Sequence, residues 1–195
     1  YNTGWNIVGL PMEVDNSSYE SLFLNAQSGT LYSFNDTYQS EETLELGTGY
    51  LLRLTADNPV TFTGTPIDEI TISLSAGWNL FSGLSTSLSP DLVYAQDIIQ
   101  SGTIYGLDGV YFSPESIDPG MGYWVRATED GEITLSSGAA AKQVSFVNRV
   151  EEANSITFSN GTYTKELYFG VEVPDEEILS YSLPPMFPQM AFDAR

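Results

Sequence analysis

The sequence predicts an all-β protein: two tandem β-rich modules with one short helix each, then a C-terminal β-sandwich-like segment. Three observations lead there. The chain matches itself when slid by 73 positions, and its short apolar runs are cut by Gly, Asn, Asp and Pro. Several of the cuts are hairpin dipeptides, Asp108-Gly109 and Asn160-Gly161 above all. The central residues of a type I′ turn need positive φ, which Gly and Asn reach at least cost.

The slide lays Gly4-Trp5-Asn6 on Gly77-Trp78-Asn79 and Gln27-Ser28-Gly29-Thr30 on Gln100-Ser101-Gly102-Thr103. Tyr32, Tyr38, Glu42, Gly47, Gly49, Tyr50, Arg53 and Asp57 then meet Tyr105, Tyr111, Glu115, Gly120, Gly122, Tyr123, Arg126 and Asp130. In all, about 18 of about 60 positions are identical, which marks an internal duplication. The expected division is residues 1–68, 69–138 and 139–195. A module of this size is marginal alone, so the copies are expected to pack on each other.

Within the modules, residues 6–10 read as an apolar strand after the Gly-Trp corner. Residues 17–26 carry Tyr19, Leu22, Phe23 and Ala26 at helical spacing, with Ser17 or Ser18 as N-cap. In the second copy Pro90 falls in the first turn, and Leu92, Val93 and Ile99 carry the same face. Strands follow at 30–34 and 103–107, turning at Asn35-Asp36 and Asp108-Gly109. Residues 50–55 and 123–128 are expected to return as hairpins through 60–63 and 133–136. Residues 69–75 form a strand feeding Gly77-Trp78, where the first copy has only Tyr1-Asn2-Thr3, so further sequence upstream is expected.

In the third segment, residues 144–150, 155–159 and 163–173 read as strands, the last two joined at Asn160-Gly161. Residues 183–188 are an extended polyproline-type stretch, because each Pro fixes φ and biases its predecessor out of the helical region. Residues 191–195 resume as strand, and the chain is expected to continue downstream.

Apolar residues make up 42% of the 195 and aromatics 13%, so a packed core is expected under an acidic surface. Asp and Glu number 26 against six Lys and Arg, a formal net charge of -20. Such a field repels phosphate backbones and anionic lipid, which disfavours nucleic acid and membrane surfaces as partners. Without Cys or His, disulfides, Ser-His-Asp triads, Cys-His dyads and His-ligated metals are excluded. No apolar run reaches the about 18 residues of a membrane-spanning helix.

The repeat-signature residues invite a structural and a binding reading. Trp5 and Trp78 are expected to anchor each module, the indole N–H on a backbone carbonyl; the alternative is a platform for sugar rings. Tyr50 and Tyr123 close each Gly-x-Gly-Tyr phrase. Arg53 with Glu42, and Arg126 with Glu115, are expected to form one ion pair per module; the alternative is an arginine that binds carboxylate or glycan. Asp36, Asp57, Asp108 and Asp130 sit in turns without an Asp-x-Asp-x-Asp-Gly loop, so no dedicated calcium site or other cofactor is expected; the alternative is weak calcium binding by these turn oxygens. No pair of carboxylates is singled out for glycoside hydrolysis, and no catalytic residue is assigned.

Gly-Trp-Asn with its apolar strand, closed about 40 residues later by Gly-x-Gly-Tyr and an arginine, resembles modules of large secreted proteins of Bacteroidetes and related phyla, commonly exported by type IX secretion. Leu167-Tyr168-Phe169-Gly170, Leu183-Pro184-Pro185, Pro188, Phe192-Asp193 and Arg195 resemble the domain that often precedes a sorting domain there. The resemblance implies an extracellular or outer-surface protein with non-catalytic modules. The expected role is structural or adhesive, with the chain itself or other surface proteins as partners; the alternative is a glycan-binding appendage of a larger secreted enzyme.

Overall fold

The computed structural model describes residues 1–57, 59–140, 148–175 and 177–187. The first module runs β1 (Gly4–Gly9), β2 (Met12–Glu13), helix α1 (Tyr19–Leu22), β3 (Tyr32–Asn35), β4 (Thr37–Ser40) and β5 (Gly49–Leu54). After β6 (Thr65–Pro66) and β7 (Glu69–Leu74) come β8 (Gly77–Ser82), helix α2 (Asp91–Tyr94), β9 (Gly106–Asp108), β10 (Val110–Phe112), β11 (Gly122–Ala127) and β12 (Gly131–Ser136). A hairpin, β13 (Asn154–Ser159) and β14 (Thr164–Phe169), lies in the C-terminal segment. The fold is all-β, with one short helix in each module.

The repeat recurs in three dimensions. β1 pairs antiparallel with β5 as β8 does with β11, and Tyr32 opposite Leu51 becomes Tyr105 opposite Trp124. Gly4 and Gly77 take φ of 103° and 99°, a region that favours glycine. Asn6 Nδ2 donates to the carbonyls of Asn2 (2.8 Å) and Gly4 (3.0 Å), and Asn79 Nδ2 to those of Ser75 and Gly77. The Thr3 N–H donates to Asp57 and the Ala76 N–H to Asp130. The Tyr50 hydroxyl accepts the Glu45 N–H at 3.0 Å, and that of Tyr123 the Asp118 N–H at 2.9 Å. These polar side chains satisfy backbone groups at corners where the sheet ladder cannot reach.

Several expectations are corrected. Residues 60–63 form no strand; Val60 and Phe62 instead pack against the first core, while β5 takes β1 as its partner. β12 forms but pairs with β7, not β11. Chain neighbours part because each two-stranded unit must lay one face on the module's core. The first helix spans only Tyr19–Leu22, without a side-chain cap from Ser18. β14 stops at Phe169, where Gly170 takes a φ of 80°. Arg149 and Val150 lie in a 3-10 turn rather than a strand, and 144–147, Pro188 and 191–195 lie outside the described residues.

Each module has its own core. One gathers Val8, Tyr19, Phe23, Leu31, Tyr50 and Leu52; the other Ile72, Phe81, Val93, Ile104, Val125 and Ile133. Strand alternation sends Ile7, Leu51, Leu80 and Trp124 the other way, into a third core between the modules. Both faces of β1, β5, β8 and β11 are therefore used, which explains their nearly continuous apolar sequence.

The two modules meet about a pseudo-twofold axis. The Gly9 N–H donates to the Gly120 carbonyl (2.7 Å) and the Ser82 N–H to that of Gly47 (2.9 Å). Each bond is the other displaced by 73 residues, with donor and acceptor modules exchanged. Bridges Val8–Met121 and Thr48–Phe81 obey the same exchange, as in a self-complementary dimer interface fused into one chain.

Candidate functional site: the aromatic seam

The third core opens towards the surface as a seam of paired aromatics. Trp5, Tyr32 and Tyr38 line one side; Trp78, Tyr105 and Tyr111, their counterparts, line the other. The register explains the grouping. Trp5 lies opposite Arg53 and Trp78 opposite Arg126 across their strand pairs, so each tryptophan projects on the face away from its own module's core.

Symmetry is broken where a ring has an aliphatic counterpart, at Leu51 with Trp124 and at Phe34 with Leu107. Trp124 is fully buried and packs edge-on against Trp78 and Phe34, with ring centroids at 6.2 and 5.0 Å. Its counterpart Leu51 brings no ring to Trp5. The ring comes instead from Phe187 in the C-terminal segment, 4.5 Å from Trp5, 4.8 Å from Tyr38 and 5.7 Å from Tyr32. Phe187 is only 5% exposed.

The segment before it lies along the axis. Both Tyr38 and its counterpart Tyr111 donate their hydroxyls to one acceptor, the Pro185 carbonyl, at 3.2 and 3.5 Å. Pro184 and Phe187 are buried while Met186 is 62% exposed. That period of three is the repeat of a polyproline II helix, and Ser182 just upstream has matching angles of -73° and 144°.

Further contacts hold this segment on the second module. Gln100 Nε2 donates to the buried Ser180 Oγ at 2.7 Å, and Tyr163 near the β13–β14 turn sits against Gly109. Arg149 makes a two-pronged ion pair with Glu177, whose carboxyl is held below its ordinary pKa by the guanidinium. Between hairpin and second module opens a cleft of about 970 Å³, lined by Tyr94, Tyr105, Tyr168, Phe169 and Tyr181 among others.

Of the residues singled out from sequence, Tyr50 and Tyr123 are buried in their modules' cores, whereas Trp5 and Trp78, expected to anchor each module, are half-buried and face the seam; two further details change. The Trp5 indole N–H is buried and meets no acceptor among the described residues, where a carbonyl was expected. Arg53–Glu42 and Arg126–Glu115 form no ion pair; among the described residues the pair is Arg149–Glu177. Strand pairing sets each arginine beside a tryptophan, and Glu42 and Glu115 stay exposed. The repeated contacts at Arg53 and Arg126 are backbone ones: their N–H groups donate to Thr30 and Thr103 hydroxyls. Sequence reasoning missed Phe187 and Tyr38 with Tyr111 as a site; the Pro184-to-Phe187 spacing was the available signal.

Burial pushes the hydroxyls of Tyr105 and Tyr123 up to about 12, and Tyr1, Tyr50 and Tyr94 are raised for the same reason. An unfolded tyrosine ionises near about 10, so above that pH the unfolded chain loses protons that the folded chain keeps. Stability is therefore complete below about pH 10 and falls as pH rises towards 12. Urea unfolding at pH 9 and 11 checks this; equal midpoints would refute it.

Compared with known protein families, curated proteins and solved structures, the chain matches none.

Proposed function

We propose that the protein is a non-catalytic structural or adhesive element of an extracellular or cell-surface protein, assembling with itself or with other surface proteins. The observation that carries this reading is hairpin β13–β14. All six residues of β13 are exposed, and Ile156, Phe158, Tyr168 and Phe169 show 43–52% of their surface. Among the described residues no further strand pairs with it; a two-stranded hairpin is marginal in water, and such edges and apolar side chains suit addition of further strands. The fused pair of modules behind it supports a spacer role, since its repeated Asn, Asp and Tyr side chains are spent on its own backbone.

The test is self-association. Beads coated with the full chain are expected to clump, and the free chain to gain mass with concentration in light scattering; Ile156→Thr with Phe158→Thr should abolish both. Dispersed beads and a concentration-independent monomer would overturn the reading. The aromatic cleft favours a second one, a glycan-binding appendage. Retention of a glycan on the same beads, lost in Tyr168→Ala, would select it.

A further inference from the structure

The seam has the chemistry of a peptide receptor. Aromatic walls with two converging hydroxyls are how polyproline II segments are bound: rings pack on the proline faces and donors meet carbonyls that such a helix leaves free. Here the walls are Trp5, Tyr32 and Tyr38, the donors are Tyr38 and Tyr111, and the occupant presents Pro184 and Phe187 inward. The second module supplies one donor and the first the other, so the site exists only in the module pair.

We propose that the seam is a groove for an extended peptide of pattern Pro-Pro-x-Phe, filled here by the chain's own Leu183–Phe187 and able to take the same motif from a second copy. Two features separate occupant from groove. The segment adds no strand to either module's sheets, and its described anchors are side-chain packing of Phe187 and hydrogen bonds to the Pro185 carbonyl. Its place is set by Leu51, the small counterpart of Trp124, which leaves Trp5 to be covered by Phe187. The inference does not depend on the adhesive reading and goes beyond it.

The experiment uses the full chain with a specific protease site inserted between Ser182 and Leu183, cut after folding. A fluorescent peptide Leu-Pro-Pro-Met-Phe-Pro is added and its anisotropy followed. A tethered segment acts at about millimolar effective concentration, so the uncut chain is expected to bind at least about 100-fold more weakly than the cut one for a peptide of about 10 μM affinity. Replacing the peptide's Phe by Ala should weaken binding by more than about 100-fold, as deletion of a buried ring does. Tyr38→Phe with Tyr111→Phe should weaken it several-fold while leaving circular dichroism unchanged.

If the cut fragment stays bound through gel filtration and exchanges slowly, the groove is equally supported. If the fragment leaves and the peptide does not bind, or the Ala peptide binds as well as its parent, the proposal is overturned. Where the inserted site disturbs folding, full-length Phe187→Ala replaces it, with peptide uptake by that variant, and none by wild type, as the expected result.

Discussion

Gly122→Ala and Gly49→Ala are each expected to lower stability by about 3 kcal/mol, the upper end for overpacking. Neither glycine has a positive φ; what each provides is room. A Cβ on Gly122 would lie 2.6 Å from the Val8 carbonyl oxygen and from Ile7 Cγ2, and one on Gly49 would lie 2.7 Å from the Phe81 carbonyl oxygen. The atoms in the way include backbone of the opposite module, which cannot rotate aside. The two contacts are equivalent ones related by the pseudo-twofold axis, and either pushes the same interface apart, so the double variant should lose less than the sum. For a chain of this size each single change corresponds to a midpoint lower by roughly 6–12 °C. Gly138→Ala, which meets nothing within 4 Å, is the control. Midpoints within about 1 °C of wild type for both variants would refute the fused-dimer interface.

Trp124→Ala should cost about 4 kcal/mol, because a fully buried indole is removed from the centre of the seam. Phe34, Tyr38 and Trp78 all lose a ring partner at once. Trp124→Phe separates ring from N–H. The indole N–H is buried and meets no acceptor among the described residues, so its removal relieves a penalty of about 1–3 kcal/mol against the volume lost. Phe should therefore cost less than half of what Ala costs in urea unfolding. Equal losses would mean that the N–H is satisfied in solution. A loss under about 1 kcal/mol for Ala would mean that the seam is not a core at all.

The legible part of this protein was local. Gly4-Trp5-Asn6 and its copy announced a corner, and the corner uses all three: Gly for φ, Asn to tie the loop, Trp for the far face of the strand. Asp108-Gly109 and Asn160-Gly161 marked hairpins, and Gly109 and Gly161 take φ of 69° and 92°, but Asp108 and Asn160 stay out of the positive-φ region, so neither turn is the expected type I′. The hairpins expected from chain proximity after Thr55 and Thr128 failed, since β5 and β11 lie along β1 and β8, strands that precede them in the chain by a helix and a further hairpin. Ion pairing read from repeated Arg and Glu failed too. Charge alone carries no direction, while strand register put the arginines beside the tryptophans.

By itself the sequence determined the duplication, the all-β class, the acidic surface and the extended character of the proline-rich stretch, because each rests on local conformational cost or composition. Only the tertiary structure decided that the copies face each other about an axis, that Gly49 and Gly122 are small to let two backbones touch, and that Phe187 sits on Trp5. Those facts join residues from different parts of the chain, and nothing in the spacing of a linear chain says which apolar faces will meet. The shared third core is the physical reason: each module leaves one apolar face uncovered, and the other module's equivalent face is the surface that fits it.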